Sequence, residues 1–348
     1  MNFKIPLKMH NPHISVLLPV YNCEKYISTA IQSILDQTYS NFELIIINDC
    51  STDNSEKEIN AFNDPRIKYH KNLENLKLIQ TLNIGIQLSK GEYIARMDAD
   101  DISYPERFEK QINYLEKNKD VGVLGTSFKL LKENSLNDNR FDGIKKVKYP
   151  LNSEEIAFEL IYNNVILHPS VMFRKSIFDQ HKTLYNIEYT HAEEYYLWTE
   201  LILKTKFSNL EDCLLEYRVH DSQISNNYSE IQLIKTLEIQ RKYLNRLGFN
   251  FNQFETKLLI EFLQSKELKN EEIRTLIGIL NDFVFKLPYL TILDHKHSLS
   301  IILKKLKNII INCKTFNIQD FYSNKLIQRI FLDLTIKQKI SFLRKQKI

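Results

Sequence analysis

The sequence predicts an α/β protein with a mainly parallel central sheet, helices on both faces, and a C-terminal helical extension. Three observations predict it. Short apolar, β-branched runs alternate with helical stretches through the first hundred residues. Three of those runs end in turns rich in side-chain oxygen atoms. From about residue 226 the composition shifts to Leu, Ile, Lys and Asn at helical spacing, with little glycine. The expected organisation is an α/β domain over 1–225 and a basic, mainly helical region over 226–348.

The elements follow in order. Ile14–Val20 is apolar, carries Pro19, and reads as a buried strand. After the polar turn Tyr21-Asn22-Cys23-Glu24, a helix is expected to about Gln37, because Ile27, Ala30, Ile31, Ile34 and Leu35 share one helical face. Phe42–Ile47 is a second buried strand, ending at Asn48-Asp49-Cys50-Ser51-Thr52-Asp53. A helix over Ser55–Phe62, a strand over Ile67–His70 and a helix over Leu76–Leu88 follow, the last stopped by Lys90-Gly91. Glu92–Met97 is the next strand. This alternation requires crossover connections, hence parallel strands. In such sheets ligands bind beyond the carboxyl ends of the strands, where all three acceptor-rich turns lie.

The third turn, Asp98-Ala99-Asp100-Asp101, holds three carboxylates within four residues. Like charges so close repel, and a hard divalent cation would relieve them. Neither GxGxxG nor GxxxxGK[ST] occurs, so glycine-built phosphate cradles are missing. A nucleotide bound here would have its diphosphate held through Mn²⁺ or Mg²⁺. The plain alternative is an acidic cap on the helix expected over Ser103–Lys117.

Further on, Val121–Leu131 reads as a strand and Asn134–Lys148 as a polar loop or hairpin. Ser153–Tyr162 is a helix capped by Ser153. Val165–Phe173 is an apolar strand interrupted by His168-Pro169. Thr190–Lys204 is a helix with Glu193 and Glu194 in its first turn, where glutamates suit the helix dipole or present a catalytic base. Cys213–His220 is a short strand ending in a histidine.

Bulk properties narrow the function. The chain has 348 residues, 43% hydrophobic and 26% charged, with 7 Gly and 8 Pro, which excludes a disordered or low-complexity chain. Net charge is +4 but uneven: residues 301–348 hold 11 Lys and Arg against 2 Asp and Glu, and residues 1–300 hold 36 against 41. A basic tail on an acidic body suits an anionic lipid surface. No basic–aromatic motif accompanies it, so nucleic acid is not an expected partner. Cys23, Cys50, Cys213 and Cys313 are far apart, as free thiols of a reducing compartment are. No apolar run reaches the length of a membrane span, and the N-terminus lacks a signal-peptide core. The expected location is cytoplasmic; the basic tail suits either peripheral contact at the inner face of the plasma membrane or an ordinary packed helical extension with a solvated basic side.

Residues 13–222 resemble the inverting nucleotide-sugar glycosyltransferases of family two, of the bacterial surface-polysaccharide type, with the GT-A fold. The resemblance runs through Ser15–Asn22, Ser33–Tyr39, Phe42–Asp53, Gly91–Asp101, Ala192–Trp198 and Tyr217–His220, in that order. It implies that Asp98-Ala99-Asp100 is the family's DxD segment, with Asp100 on the metal and Asp98 on the ribose or a metal-bound water. His220 would complete the metal's ligands. Pro19, Val20, Tyr21, Asn22, Glu24 and Arg96 would line the nucleotide-sugar site, with Tyr21 stacking on the base and Asp49 accepting from the uracil imide. Glu194 would be the general base, with neighbouring Glu193 as the alternative.

This chain departs from the family at four positions. Cys50 stands where Gly is usual, Glu194 where Asp is usual, Tyr196 where Asp is frequent, and Glu200 where Arg is frequent. The implied reaction is transfer of a hexose from a UDP-sugar to a hydroxyl of a glycan or lipid-linked oligosaccharide, in lipopolysaccharide or capsule synthesis. A non-catalytic GT-A domain that binds nucleotide-sugar or glycan is the alternative. No QxxRW segment follows the acidic motif, so a processive synthase is not expected.

Overall fold

The computed structural model describes residues 12–132, 146–181, 184–219, 229–312, 326 and 328. They divide into two compact units, 1–152 with 165–232, and 153–164 with 233–348.

The first unit is an eight-stranded sheet. Its strands are β1 (Ile14–Val20), β2 (Phe42–Asn48), β3 (Ile67–Lys71), β4 (Tyr93–Arg96), β5 (Ile102–Ser103), β6 (Val121–Lys132), β7 (Met172–Arg174) and β8 (Lys206–Val219). Their order across the sheet is β3-β2-β1-β4-β7-β6-β8-β5. The β3-β2-β1-β4 half is parallel throughout, and β6 is parallel to β8, while β7 runs antiparallel to both β4 and β6. Every residue of β1 and β2 is buried, as continuous apolar runs covered on two faces must be.

The chain winds outward from β1 to β3, then returns to the other side of β1 for β4. The order therefore reverses between β1 and β4, the kind of switch point beyond whose carboxyl ends sheets of this type bind ligands in a crevice. The helices here are α1 (Ile27–Leu35), α2 (Ser55–Asn60), α3 (Lys77–Leu88) and α4 (Arg107–Lys117). α1 buries Ile27, Ala30, Ile31 and Ile34, the face its spacing marked out. Burying each isoleucine contributes about 1.5–3 kcal/mol.

Several expected boundaries move for identifiable reasons. The helix expected from Ser103 begins at Arg107, because Ile102 and Ser103 pair with Glu216 and Leu215 of β8 as the short strand β5. Gly91 is not a helix stop in the left-handed region. A Cβ there would lie 2.6 Å from the Ser15 backbone nitrogen, so this glycine lets the start of β4 close on β1. His168–Ser170 forms a 3-10 turn, leaving only Met172–Arg174 as strand. The described part of the expected short strand Cys213–His220, through Val219, is the far end of the long β8. The helix carrying Glu193 and Glu194, α7 (Glu193–Leu201), is shorter than expected.

The second unit contains α5 (Ser153–Glu159), α8 (Ser229–Arg246), α9 (Gln253–Leu263), α10 (Asn270–Lys286) and α11 (His295–Asn312); α6 (Ser176–His181) belongs to the first. α5 lies earlier in the chain than residue 226 yet groups with these helices. Phe158 packs edge-on to Phe283, the Tyr243 hydroxyl donates to the Ala157 carbonyl at 3.0 Å, and Gln264 donates to the Tyr162 carbonyl at 2.8 Å. α9 opens with a capping box between Asn252 and Glu255. No helix among the described residues is long and apolar enough to cross a membrane. Most of the basic 301–348 stretch lies outside the described residues, as do 220–228, which include the expected domain boundary and His220.

Candidate functional site

The crevice is walled by loops that bind one another. Asn22, in the left-handed region at φ 50°, donates its N–H to Ser51 Oγ at 3.1 Å and accepts from the Thr52 N–H at 2.8 Å. The Cys23 N–H donates to Ser55 Oγ at 2.7 Å. Glu24 Oε2 accepts from the Asn54 backbone and side chain at 2.8 and 2.7 Å. Asn22 and Glu24 thus hold the loop after β1 to the loop after β2. Pro19 and Val20 pair with Ile47 and Asn48 at the strand ends, and the ring of Tyr21 stands half-exposed beyond them.

Asp49 is buried, and its carboxylate organises the loop before α3. Its Oδ1 accepts from Asn72 Nδ2 and the Leu76 N–H, both at 2.8 Å, and its Oδ2 from the Lys77 N–H at 2.9 Å. Cys50 sits at φ 59°, which explains why glycine suits this position.

The carboxylate turn follows β4. Ligand oxygens of Asp98, Asp100 and Asp101 lie within 4.8 Å of one another. Arg96 is 2% exposed and grips Asp98 through both terminal nitrogens, one of them donating to Oδ2 at 2.7 Å. Burial opposes the guanidinium charge, but the carboxylate beside it keeps Arg96 firmly protonated. Burial first, then the Asp98 and Asp100 charges, push the Asp101 carboxyl well up. Its Oδ2 has no hydrogen-bond partner among the described residues, while Oδ1 accepts from the Arg218 N–H at 2.9 Å. Ala99 packs into the apolar core, which fixes the turn.

These residues fit a hard divalent cation. The donor set is all carboxylate oxygen; burial first, and the neighbouring carboxylate charges after it, raise Asp98 and Asp101, and such an ion would offset both. His220, the other expected ligand, lies outside the described residues.

α7 brings the paired glutamates toward the same place. His191, at φ 71°, turns the chain just before it. Glu193 is 6% exposed, and its Oε2 has no partner among the described residues. Burial first, and Glu193 second, push the Glu194 carboxyl up to about 8, while Arg96 pulls it down and Asp98 adds to the rise. Glu193 is likewise raised by burial and feels both Arg96 and Asp98. The acidic helix start and the carboxylate turn, separated by nearly a hundred residues in sequence, therefore form one electrostatic cluster. Tyr196 stacks on Tyr189, with ring centroids 4.0 Å apart and planes at 10°, a contact an aspartate at that position would lack.

Other titratable groups, given no role of their own by the sequence, border this cluster. His168 Nε2 lies 2.6 Å from the Tyr185 hydroxyl, and burial, with Arg96 adding to it, keeps this imidazole neutral. Buried Arg107 donates to the Arg96 carbonyl at 2.7 Å, its pKa lowered to about 9 by burial. Burial first, then the Asp98, Asp101 and Asp100 charges, push up the Tyr217 hydroxyl. Cys23 is pushed up to about 12 by burial first and then by Asp100 and Asp98, which makes it a poor nucleophile.

Comparison with known proteins bears on the family and the fold. A sequence model described as glycosyl transferase family 2 matches residues 15–182. An uncharacterized glycosyltransferase of Haemophilus influenzae is 32% identical over 316 residues, covering 86% of this chain and 98% of that protein. The O-antigen biosynthesis glycosyltransferase WbnJ of Escherichia coli is 36% identical over 214 residues, covering 60% of this chain and 80% of WbnJ. Among solved structures, S. aureus TarS 1-349 in complex with UDP-GlcNAc has a TM-score of 0.53 at 17% identity, covering 96% of this chain and 89% of that one, a likeness of fold.

Proposed function

Because the chain belongs to glycosyl transferase family 2, we propose that it is a metal-dependent, inverting transferase that moves a hexose from a UDP-sugar to a hydroxyl of a glycan or lipid-linked oligosaccharide. The observation that carries this reading is the cluster of Asp98, Asp100 and Asp101 gripped by buried Arg96, whose charge also reaches the Glu193–Glu194 helix start. One group of carboxylates suits a cation-bound diphosphate, and the other suits a base.

In this reading Asp100 would hold Mn²⁺ or Mg²⁺ with the diphosphate, His220 would complete the ion's ligands, and Asp98 would contact the ribose or a metal-bound water. When bound, the ion acts as a Lewis acid that stabilises charge on the leaving diphosphate. Arg96 keeps Asp98 oriented and serves the nucleotide through it. Tyr21, beside Pro19 and Val20, stacks on the base, while Asn22 and Glu24 hold that wall closed. Asp49, whose oxygens already anchor the 72–77 loop, retains lone-pair capacity for the uracil imide. Glu194 takes the proton of the acceptor hydroxyl, and its raised pKa suits a base working near neutral pH. Attack opposite the leaving group inverts the anomeric centre.

The donor class draws support from TarS, which shares the fold and binds UDP-GlcNAc. The polysaccharide setting draws support from WbnJ. We place the protein in the cytoplasm, with the basic residues of 301–348 meeting anionic lipid at the inner membrane face. Removing 301–348 would then release the protein from anionic vesicles, and unchanged binding would contradict that placement. For the donor, a panel of UDP- and GDP-sugars is incubated with Mn²⁺, Mg²⁺ or EDTA. UDP release from one sugar, abolished by EDTA, supports the reading. Metal-dependent UDP binding without turnover, even with an acceptor panel, would favour a binding module.

A further inference from the structure

The end of β8 makes contacts with the carboxylate turn that the proposed function does not use. Arg218, near the end of β8, touches two other segments of the crevice. Its backbone N–H donates to Asp101 Oδ1 at 2.9 Å, and its side-chain Nε donates to the Asp100 carbonyl at 2.7 Å. Its guanidinium carbon sits 4.6 Å from the centre of the Tyr26 ring. Tyr26 caps the start of α1 and closes the loop that begins at Tyr21. β5, directly after the carboxylate turn, pairs with β8 just before Arg218, and the Tyr104 N–H donates to the Leu214 carbonyl at 3.1 Å. The turn is thus fastened to β8 on both its peptide and side-chain sides.

We infer that Arg218 is a positioning residue for the cation-binding turn, clamping Asp100 and Asp101 against the loop that starts at Tyr21. The clamp uses features specific to arginine. A planar guanidinium can donate from Nε in one direction while its face covers an aromatic ring. A lysine at the same place supplies the charge without either constraint. The carboxylates repel one another, so the turn needs an external hold to present Asp100 in a fixed direction before any cation arrives. Arg218 supplies that hold and a compensating charge. This inference rests on the donor-site reading above.

The test is Mn²⁺ binding in the presence of UDP, measured by titration calorimetry on the full chain. Arg218→Lys is the informative variant because it keeps the charge, so a change cannot come from altered electrostatic attraction for the cation. The expected result is Mn²⁺ affinity weakened by about tenfold or more, as for loss of groups that orient metal ligands, with a melting temperature near that of the wild type. Tyr26→Leu removes the ring from the other side and should weaken Mn²⁺ in the same direction. Tyr26→Phe keeps the ring face and should bind as wild type does. The two Tyr26 variants carry the test if Arg218→Lys fails to fold. Wild-type-like Mn²⁺ affinity in Arg218→Lys or in Tyr26→Leu would overturn the clamp while leaving the donor reading intact. A wild type that binds no Mn²⁺ with UDP would overturn both.

Discussion

Arg96 and Asp98, two residues apart at the end of β4, form a forked ion pair in which both guanidinium terminal nitrogens donate to the carboxylate. Arg96 is buried, and its charge is also felt by Glu193, Glu194, His168 and Tyr185. One cation therefore serves the carboxylate turn and the paired glutamates together. Replacing it with Met would leave Asp98 without its partner, and because Asp98 is 29% exposed the cost should be about 1–3 kcal/mol, below that of a fully buried pair. Urea unfolding of Arg96→Met should show a loss of that size. A loss below about 1 kcal/mol would mean the pair is solvated and marginal.

The raised Glu194 carboxyl sets a pH dependence. Its folded pKa, about 8, lies above the ordinary glutamate value of 4.5. The folded state then holds more protons than the unfolded state between those values, so this group's contribution to stability is present at low pH and is lost as pH rises through the window. Glu194→Gln cannot ionise and should melt higher than wild type at pH 9, by about 2–4 °C for each kcal/mol recovered, with the difference vanishing near pH 5. As a base, Glu194 must be deprotonated, so kcat/KM should fall with decreasing pH well before the ordinary carboxylate range. A profile flat from pH 8 to pH 5 would contradict this assignment.

Cys50 holds a left-handed backbone at φ 59°. A non-glycine residue there costs about 1–2 kcal/mol, and glycine relieves it at an entropic cost of about 0.5–1 kcal/mol. Cys50→Gly should therefore leave denaturant stability equal or slightly higher. Cys50→Val, with a branched β-carbon in the same conformation, should lower it by more than about 1 kcal/mol. Equal stability of the two variants would show that the turn is not constrained in this way.

The stack of Tyr196 on Tyr189 braces the segment leading into α7. Tyr196→Ala should cost about 0.5–1.5 kcal/mol beyond its lost area and lower kcat through displacement of Glu194. Tyr196→Phe, which keeps the stack, should behave as wild type. Loss of kcat in the phenylalanine variant would assign a role to the hydroxyl instead.

The sheet was legible because β1, β2 and β4 are covered on both faces, so their runs are apolar without alternation and end abruptly in polar turns. Of the three turns at strand ends, those after β1 and β2 bind one another. Contacts of high sequence separation were not legible. Arg218 reads as one residue of a strand until β8 and β5 bring it beside Asp100 and Asp101. Asn22 and Glu24 read as candidate ligands, yet their oxygens accept from the neighbouring loop's amides. Gly91 followed a helix and read as its stop, while its function is close approach to Ser15 across the sheet. α5 precedes β7 and β8 in the chain, and no local feature shows that its Phe158 packs with Phe283.

The most direct measurement is UDP release from the donor sugar, with and without acceptor, by wild type, Asp100→Ala and Glu194→Gln at saturating Mn²⁺. Asp100→Ala should lose both acceptor-dependent transfer and slow donor hydrolysis, as removal of a proposed cation ligand would require. Glu194→Gln should still bind UDP with Mn²⁺ as wild type does but lose transfer by about 100-fold or more. Full transfer by Glu194→Gln, or metal-independent turnover by Asp100→Ala, would contradict the division of labour between the two carboxylate groups.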